Sequence, residues 1–206
     1  PLGAQNMQIA VDSLKKIYAP DGRTAVWKID CEEHYKAWTL KGVVDNARNK
    51  DVILGEAKRL GIEVEDSIRV LENSLEKPWA IVKLAIASLR TDGRHAAEMA
   101  TQAIMGMPVK VLEEKGDWYR VQTPDNYISY CPANSLQLAT QRDMEAWRSA
   151  KRYIVTVYQS QLVEKPGSDA TVSDLVLGNI LEFKGKSGKW IKLATPDGRT
   201  GYVAQG

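Results

Sequence analysis

The stretch GDWYRVQTPDNYISYC, residues 116–131, recurs in altered form as GKWIKLATPDGRTGYV, residues 188–203. Both stretches carry Gly-x-Trp, then Thr-Pro-Asp, then a Tyr, at a constant offset of 72 residues (188 minus 116). At this offset residues 101–131 align with residues 173–203 without a gap. Such internal similarity predicts two copies of one structural unit and disfavours two unrelated hairpins that share turn residues.

Each copy has the pattern of short antiparallel strands. Apolar residues alternate in runs of four to seven residues, and Gly116, Pro124-Asp125, Gly188 and Pro196-Asp197 supply turns between them. The pattern predicts a small β-barrel of about five strands for each copy. The shared Trp118 and Trp190 are expected in the two barrel cores.

The first 75 residues follow a different pattern. Helical spacing of apolar residues predicts a helix that ends by Ala19-Pro20, and a second helix is predicted from the cap Asp45-Asn46 to Gly61. Alternation predicts strands at 24–30 and 35–42, and a further strand at 67–73. The order helix-strand-strand-helix-strand indicates an α+β unit.

The predicted fold class is therefore an α+β N-terminal unit followed by two small all-β SH3-like barrels joined by a short helix. The stretch TQRDMEAWRSAK lacks Gly and Pro and supplies that helix. The predicted domains are residues 1–76 for the α+β unit, 77–139 for the first barrel, 140–151 for the helix and 152–206 for the second barrel.

Composition narrows the classes of function. The 206 residues contain 28 Lys plus Arg and 26 Asp plus Glu, a net charge of +2. This balance does not favour nucleic-acid binding, which usually needs a concentrated basic face. No apolar run approaches the length of a membrane span.

Catalytic chemistry is poorly represented. The chain has two Cys and two His, and no cluster with metal-ligand spacing or Gly-rich phosphate loop is evident, so we expect no metal and no cofactor. Cys31 and His34 are close in CEEH, but a hairpin position explains them better than a nucleophile does; an enzyme that uses this pair is the third hypothesis. Cys131 aligns with Val203 and is expected as a small buried residue. A Cys31–Cys131 disulfide is not expected.

The two copies differ at polar positions. Tyr127 aligns with Arg199, and Glu98 aligns with Ala170. Shared positions indicate scaffold, whereas the divergent ones indicate either a task specific to one copy or ordinary surface drift.

Residues 82–130, VKLAIASLRTDGRHAAEMATQAIMGMPVKVLEEKGDWYRVQTPDNYISY, resemble the first bacterial SH3 domain of NlpC-family cell-wall cysteine peptidases, of the γ-D-glutamyl-L-diamino-acid endopeptidase type. The pieces YAPDGRTAVWKI, LKGVVDNARNKDVILGEAKRLGI and DSIRVLEN resemble the region before that domain in Bacteroides-like members. The resemblance runs from about Ile17 to Tyr202. Where the family usually has Gly-Trp, this chain has Ser129-Tyr130.

This resemblance implies a role in substrate selection. In the family a catalytic domain with its Cys and His follows the second SH3 domain, which would place it after Gly206. The first SH3 domain supplies an acid and a Tyr that recognise the free amine at the L-Ala end of a stem peptide. By motif position the acid is Glu98 and the Tyr is Tyr127, with Tyr130 as the less favoured match.

The leading hypothesis is a non-catalytic targeting and specificity module of a peptidoglycan peptidase. Its partners would be a stem peptide or muropeptide and a C-terminal peptidase domain. The alternative is a stand-alone tandem SH3 protein that binds wall fragments or a protein partner. Either function implies a periplasmic or secreted location, with a signal removed or replaced by a tag remnant before Met7.

Overall fold

The structure is a computed structural model that describes residues 2–35 and 37–205. Within those residues it contains three α-helices and sixteen strands, arranged in three sheets. The chain divides into two compact units. The first comprises the residues up to Leu75 together with Asn126–Ile128, and the second comprises Glu76–Asp125 and the residues from Ser129 onward.

The first unit has the predicted order of elements. These elements are α1 (Leu2–Tyr18), β1 (Trp27–His34), β2 (Ala37–Val44), α2 (Ala47–Arg59) and β3 (Val64–Val70). The first helix ends at Tyr18, as predicted, and β3 begins three residues earlier than predicted. Lys36, within the predicted second strand, lies outside the described residues.

The N-terminal sheet, β1-β2-β3, combines two kinds of pairing. β1 pairs with β2 antiparallel, whereas β3 pairs with β2 parallel, and α2 makes the crossover that a parallel pair requires. Asn46 caps α2 because its side chain accepts a hydrogen bond from the N–H of Asn49 (2.9 Å). Gly61, at φ 67°, follows the end of α2 in the left-handed conformation that suits glycine. The helices and the sheet enclose one apolar core, which includes Met7, Val11, Trp38, Leu40 and Ile53.

The middle sheet belongs to the second unit. Its strands are β4 (Trp79–Val82), β5 (Ile86–Arg90), β6 (Met99–Ile104), β7 (Pro108–Lys115), β8 (Trp118–Gln122), β9 (Ile128–Pro132) and β10 (Leu136–Ala139). They lie in the order β10-β4-β7-β8-β9-β5-β6. The loop between β5 and β6 runs over residues 91–98, because β6 begins at Met99.

The C-terminal sheet repeats this order. Its strands are β11 (Arg152–Ile154), β12 (Gln159–Val163), β13 (Thr171–Val176), β14 (Ile180–Ser187), β15 (Trp190–Ala194) and β16 (Thr200–Ala204). They lie in the order β11-β14-β15-β16-β12-β13, which matches β4-β7-β8-β9-β5-β6 strand for strand. Helix α3 (Gln141–Ser149) lies between the two copies in sequence and begins with a capping box of Thr140 and Asp143.

The prediction of two barrels of about five strands needs correction. Among the described strands, β10 does not pair with β6 and β11 does not pair with β13, so both sheets are open. Bulges at Leu89/Arg90 and Val111/Glu113 curve the middle sheet without joining its edges. The short strands β4 and β10 add to one edge, and their four-residue runs carry too little alternation to be recognised from sequence.

The two copies pack against each other within the second unit. The N–H of Ile180 donates to the carbonyl of Met105 (2.9 Å), and the side chain of Asn179 donates to the carbonyl of Ala85 (2.9 Å). The buried Met105 side chain also joins the core of the C-terminal sheet, with Leu162, Leu175 and Leu181. Both copies therefore share one interior.

Two equivalent glycines make the close approach possible. A Cβ at Gly106 would lie 2.6 Å from both the Cβ and the carbonyl oxygen of Ile180, and a Cβ at Gly178 would lie 2.8 Å from Cδ1 of Ile104. Both glycines have a positive φ, 89° and 88°. The repeat thus keeps Gly here because of backbone conformation and space.

Candidate functional site

The candidate site is built around the loop 91–98, which connects β5 to β6 in the middle sheet. Hydrogen bonds close its base: the N–H of Thr91 donates to the carbonyl of Glu98 (3.0 Å), and the Arg90 guanidinium donates to the carbonyl of Ala97 (2.7 Å). In the C-terminal sheet the N–H of Glu164 donates to the carbonyl of Ala170 (2.9 Å) in the same way. That loop, 164–170, is one residue shorter.

The longer loop covers Trp118. The His95 ring packs edge-on against the Trp118 ring with centroids 4.9 Å apart, and a Cβ at Gly93 would lie 3.3 Å from the Cβ of Trp118. Trp118 is consequently buried, 6% exposed. The equivalent Trp190 is only half-buried, so the prediction of a core position is confirmed for Trp118 and is too strong for Trp190.

Glu98 lies at the end of this loop and is exposed. Its backbone carbonyl is held by Thr91, so the position of the residue is defined although its side chain reaches into solvent. Among the described residues, no side chain lies within hydrogen-bonding or ion-pairing distance of the Glu98 carboxylate. A carboxylate in this setting can accept a hydrogen bond from a cation supplied by a ligand.

Tyr130 lies on β9, directly opposite Arg90 on β5. Arg90 immediately precedes Thr91, the residue that holds Glu98, and strand β5 thus lies between Tyr130 on β9 and Glu98 at the start of β6. The Nζ of Lys115 lies 5.0 Å from the centre of the Tyr130 ring, and the Cζ of Arg120 lies 5.7 Å from it. The sequence indicated Tyr130 but not these cations.

Tyr127, the other predicted tyrosine, lies in Asn126–Ile128, which belongs to the first unit. In that unit the N–H of Ile128 donates to the carbonyl of Arg23 (2.6 Å). The Arg23 guanidinium is itself held by the Asp21 carboxylate (2.7 Å). Half-buried Tyr127 is therefore placed differently from Glu98 and Tyr130.

Arg199, the counterpart of Tyr127, stabilises its own turn. Its guanidinium bonds to the Asp197 carboxylate (2.9 Å) and to the carbonyl of Val172 (2.8 Å). The carboxylate of Asp197 also accepts a hydrogen bond from the hydroxyl of Thr195 (2.6 Å). The divergence at this position thus replaces a structural arginine with a half-buried tyrosine.

The Cys31–His34 pair does not form a catalytic arrangement. Residues three apart on β1 face opposite sides of the sheet: Cys31 packs against the core, while His34 is exposed, with Nε2 3.6 Å from the Glu32 carboxylate. Burial raises the pKa of the Cys31 thiol to about 11, and Asp12 and Asp30 act in the same direction. A thiol that stays protonated at neutral pH is a poor nucleophile.

Cys131 is buried, as its alignment with Val203 predicted. Burial raises the pKa of its thiol to about 12, and both cysteines are free thiols. In the part of the chain that the structure describes, no group of three His, Cys, Asp or Glu residues could hold a metal ion. Among the same residues, no helix has both the length and the apolar character to cross a bilayer.

The C-terminal sheet offers a different feature. A cavity of about 310 Å³ opens beside its core, with walls that include Val155, Leu175, Ile191 and Leu193. The residues that line the cavity are mainly aliphatic, and no pattern in the sequence predicts the cavity. This aliphatic cavity of the second copy contrasts with the charged side chains near Tyr130 in the first copy.

Comparison with known proteins identifies the class of the middle sheet. Residues 89–136 match the family described as bacterial dipeptidyl-peptidase SH3 domain. The matched range contains the loop 91–98, Trp118 and Tyr130, so the candidate site lies inside the region that is similar to this family.

The chain is also similar to individual proteins. The chain is 26% identical over 130 residues to dipeptidyl-peptidase 6 of Lysinibacillus sphaericus, covering 60% of this chain and 48% of the peptidase. An NlpC/P60 family protein from Bacillus cereus has a similar fold, with a TM-score of 0.51 at 17% identity over 62% of this chain and 54% of that one. An NlpC/P60 endopeptidase from Photobacterium damselae subsp. piscicida gives a TM-score of 0.44 at 13% identity, over 65% and 33% of the two chains. The chain spans about half the length of the first two relatives.

Proposed function

We propose that this chain is the non-catalytic specificity part of a peptidoglycan peptidase and binds cell-wall stem peptides with a free L-Ala end. The match of residues 89–136 to a peptidase-associated SH3 domain supports the class of protein. Hydrolysis of the bound peptide is proposed for a separate NlpC-type domain of the full-length protein. Because peptidoglycan lies outside the cytoplasmic membrane, the proposed location is periplasmic or secreted.

The proposal treats the middle and C-terminal sheets as tandem SH3-like domains. Two observations support this assignment: the strands of both sheets lie in the same order, and a backbone hydrogen bond to the carbonyl of Glu98 or Ala170 closes the equivalent loop in each. The proposed boundaries remain 77–139 and 152–206, with α3 between them. In this arrangement the first domain contacts substrate and the second supports it.

The observation that carries the substrate assignment is the exposed Glu98 carboxylate, held by its backbone at the end of the loop 91–98. An ammonium group of a ligand would form a charge-assisted hydrogen bond with it. A cleaved stem peptide has a free, charged L-Ala amine, whereas in intact wall the same nitrogen is in an uncharged amide. Glu98 would therefore favour cleaved fragments over intact wall.

The two tyrosines have separate proposed roles. Tyr130 lies one strand away from the loop that ends at Glu98 and would pack against the peptide. Tyr127 would contribute a hydrogen bond from its phenol to the same substrate. Each role is a proposal about a single side chain and can be tested with a Tyr→Phe or Tyr→Ala variant alone.

The test uses the chain and two peptides, L-Ala-γ-D-Glu-meso-diaminopimelate and its N-acetyl derivative, with binding measured by calorimetry. We expect the free amine to bind about tenfold more tightly than the acetylated form, and Glu98→Gln to abolish that preference. The matched control is Asp169→Asn, which removes an exposed carboxylate next to Ala170 in the second copy. Equal affinity of the wild-type chain for both peptides would refute the proposed function.

A further inference from the structure

A cluster of cations surrounds the ring of Tyr130. Arg90 lies opposite Tyr130 in the strand register, Lys115 approaches the ring from the end of β7, and Arg120 approaches it from β8. We call Arg90, Lys115, Arg120 and Tyr130 the Tyr130 cluster. Two strands of the middle sheet thus direct positive charge to one aromatic ring, while the Arg90 guanidinium, on a third strand, donates to the carbonyl of Ala97.

Carboxylates of the chain satisfy this cluster only in part. The Lys115 ammonium donates to the Asp92 carboxylate (2.5 Å), and this hydrogen bond holds the pKa of Asp92 below its usual value. Arg120 lies 3.7 Å from the Glu113 carboxylate, farther than a hydrogen bond reaches. Its Nε is buried and has no hydrogen-bond partner among the described residues. Such a buried donor is costly unless an acceptor meets it.

The C-terminal sheet shows that the scaffold does not require this charge. Tyr202 is the counterpart of Tyr130. The Nζ of Lys192 lies 5.9 Å from the centre of its ring and is equivalent to Arg120, whose Cζ lies 5.7 Å from the Tyr130 ring. The other two cations are missing there, because Val163 pairs with Tyr202 where Arg90 pairs with Tyr130, and Ser187 takes the place of Lys115. The same backbone forms with one cation instead of three.

We propose that the Tyr130 cluster is a binding subsite for a carboxylate of the ligand. In the absence of ligand, the Lys115 ammonium is paired with the Asp92 carboxylate. The ligand's carboxylate displaces it and also pairs with the positive charge of the Arg120 guanidinium. The side chain of Asp92 is 43% exposed, so a ligand can reach the ion pair from solvent.

This inference rests on the proposed function, because it takes the ligand to be the same stem peptide. That peptide presents an ammonium group at one end and carboxylates on its glutamyl and diamino-acid residues. Glu98 would take the ammonium group and the Tyr130 cluster a carboxylate. Opposite charges at the two places would fix the direction in which the peptide lies across the sheet.

The experiment measures binding of L-Ala-γ-D-Glu-meso-diaminopimelate and of the same peptide with all carboxylates amidated. We expect Lys115→Gln to weaken binding of the acidic peptide about tenfold and the amidated peptide less than twofold. Lys115 is half-exposed, so this variant should fold. Asp92→Asn should strengthen binding of the acidic peptide about threefold, because a neutral amide competes less well for Lys115.

The matched control is Lys192→Gln in the second copy, for which we expect a change of less than twofold. If the peptide binds through Glu98 but Lys115→Gln has no effect, or weakens both peptides equally, the carboxylate subsite is wrong and the proposed function stands. If the wild-type chain binds neither peptide, both proposals are wrong.

Discussion

The middle and C-terminal sheets are built on one plan, yet they differ in charge and in how their loops cover the core. Both have the same strand order, the same closure of the loop base and glycines at equivalent positive-φ turns. In the first copy the loop 91–98 is one residue longer than its counterpart, and His95 packs against Trp118. The first copy also has cations near the Tyr130 ring. The second has a half-buried Trp190 and an aliphatic cavity instead. Repetition thus marks the scaffold, and divergence marks the positions where a ligand can be selected.

The largest expected effect separates the two tryptophans. We expect Trp118→Ala to lower the free energy of unfolding by about 4 kcal/mol, because a nearly fully buried indole is lost. Trp190→Ala should cost about 2 kcal/mol, since its ring is already half-exposed. Urea denaturation followed by circular dichroism measures both. Equal losses would mean that the loop 91–98 does not bury Trp118 as described.

The next effect separates the two glycines at the contact between the copies. Gly106→Ala should destabilise the second unit by about 3 kcal/mol, because the new methyl group meets the backbone of Ile180 at a positive φ. Gly178→Ala should cost about 1 kcal/mol, since its methyl group meets only the movable end of Ile104. Gly116→Ala is the control for strain alone, as its Cβ would point into open space at φ 58°. A Gly106 variant no less stable than the Gly116 variant would contradict the close packing.

The smallest effect concerns the thiols. Cys131→Val places in the first copy the residue that the second has at Val203, and we expect a stability change below about 1 kcal/mol. Cys31 is then the single thiol, and with a pKa of about 11 about one molecule in a thousand is a thiolate at pH 8. Alkylation by iodoacetamide should therefore be slow and rise about tenfold per pH unit up to pH 10. Rapid alkylation at pH 7 would revive the idea of a reactive Cys31.

Local patterns were sufficient to predict much of the fold. The 3.6-residue spacing predicted α1 and α2, the cap at Asn46 is present, and the internal repeat anticipated two sheets with equivalent strands. The parallel pairing of β2 with β3 and the short strands β4 and β10 were not predicted. These features depend on contacts between residues far apart in sequence, which alternation within a short window does not report.

The candidate site was predictable to a smaller extent. Glu98 came from the alignment of the copies and the resemblance to a family, and the structure holds it at the end of a closed loop. Its role in binding stays a prediction. Lys115 and Arg120 escaped notice because single charged residues on strands usually lie in solvent, and nothing in the sequence places them over one tyrosine ring.

The sequence by itself determined the repeat, the turns and the residues at which the copies differ, because turn chemistry and side-chain periodicity act over a few neighbouring residues. Only the tertiary structure decided that Tyr127 lies with the first unit while Tyr130 pairs with Arg90, next to the loop that ends at Glu98. It also decided that three strands bring Arg90, Lys115 and Arg120 to Tyr130. The physical reason is that strand register converts distant positions into neighbours about 5 Å apart.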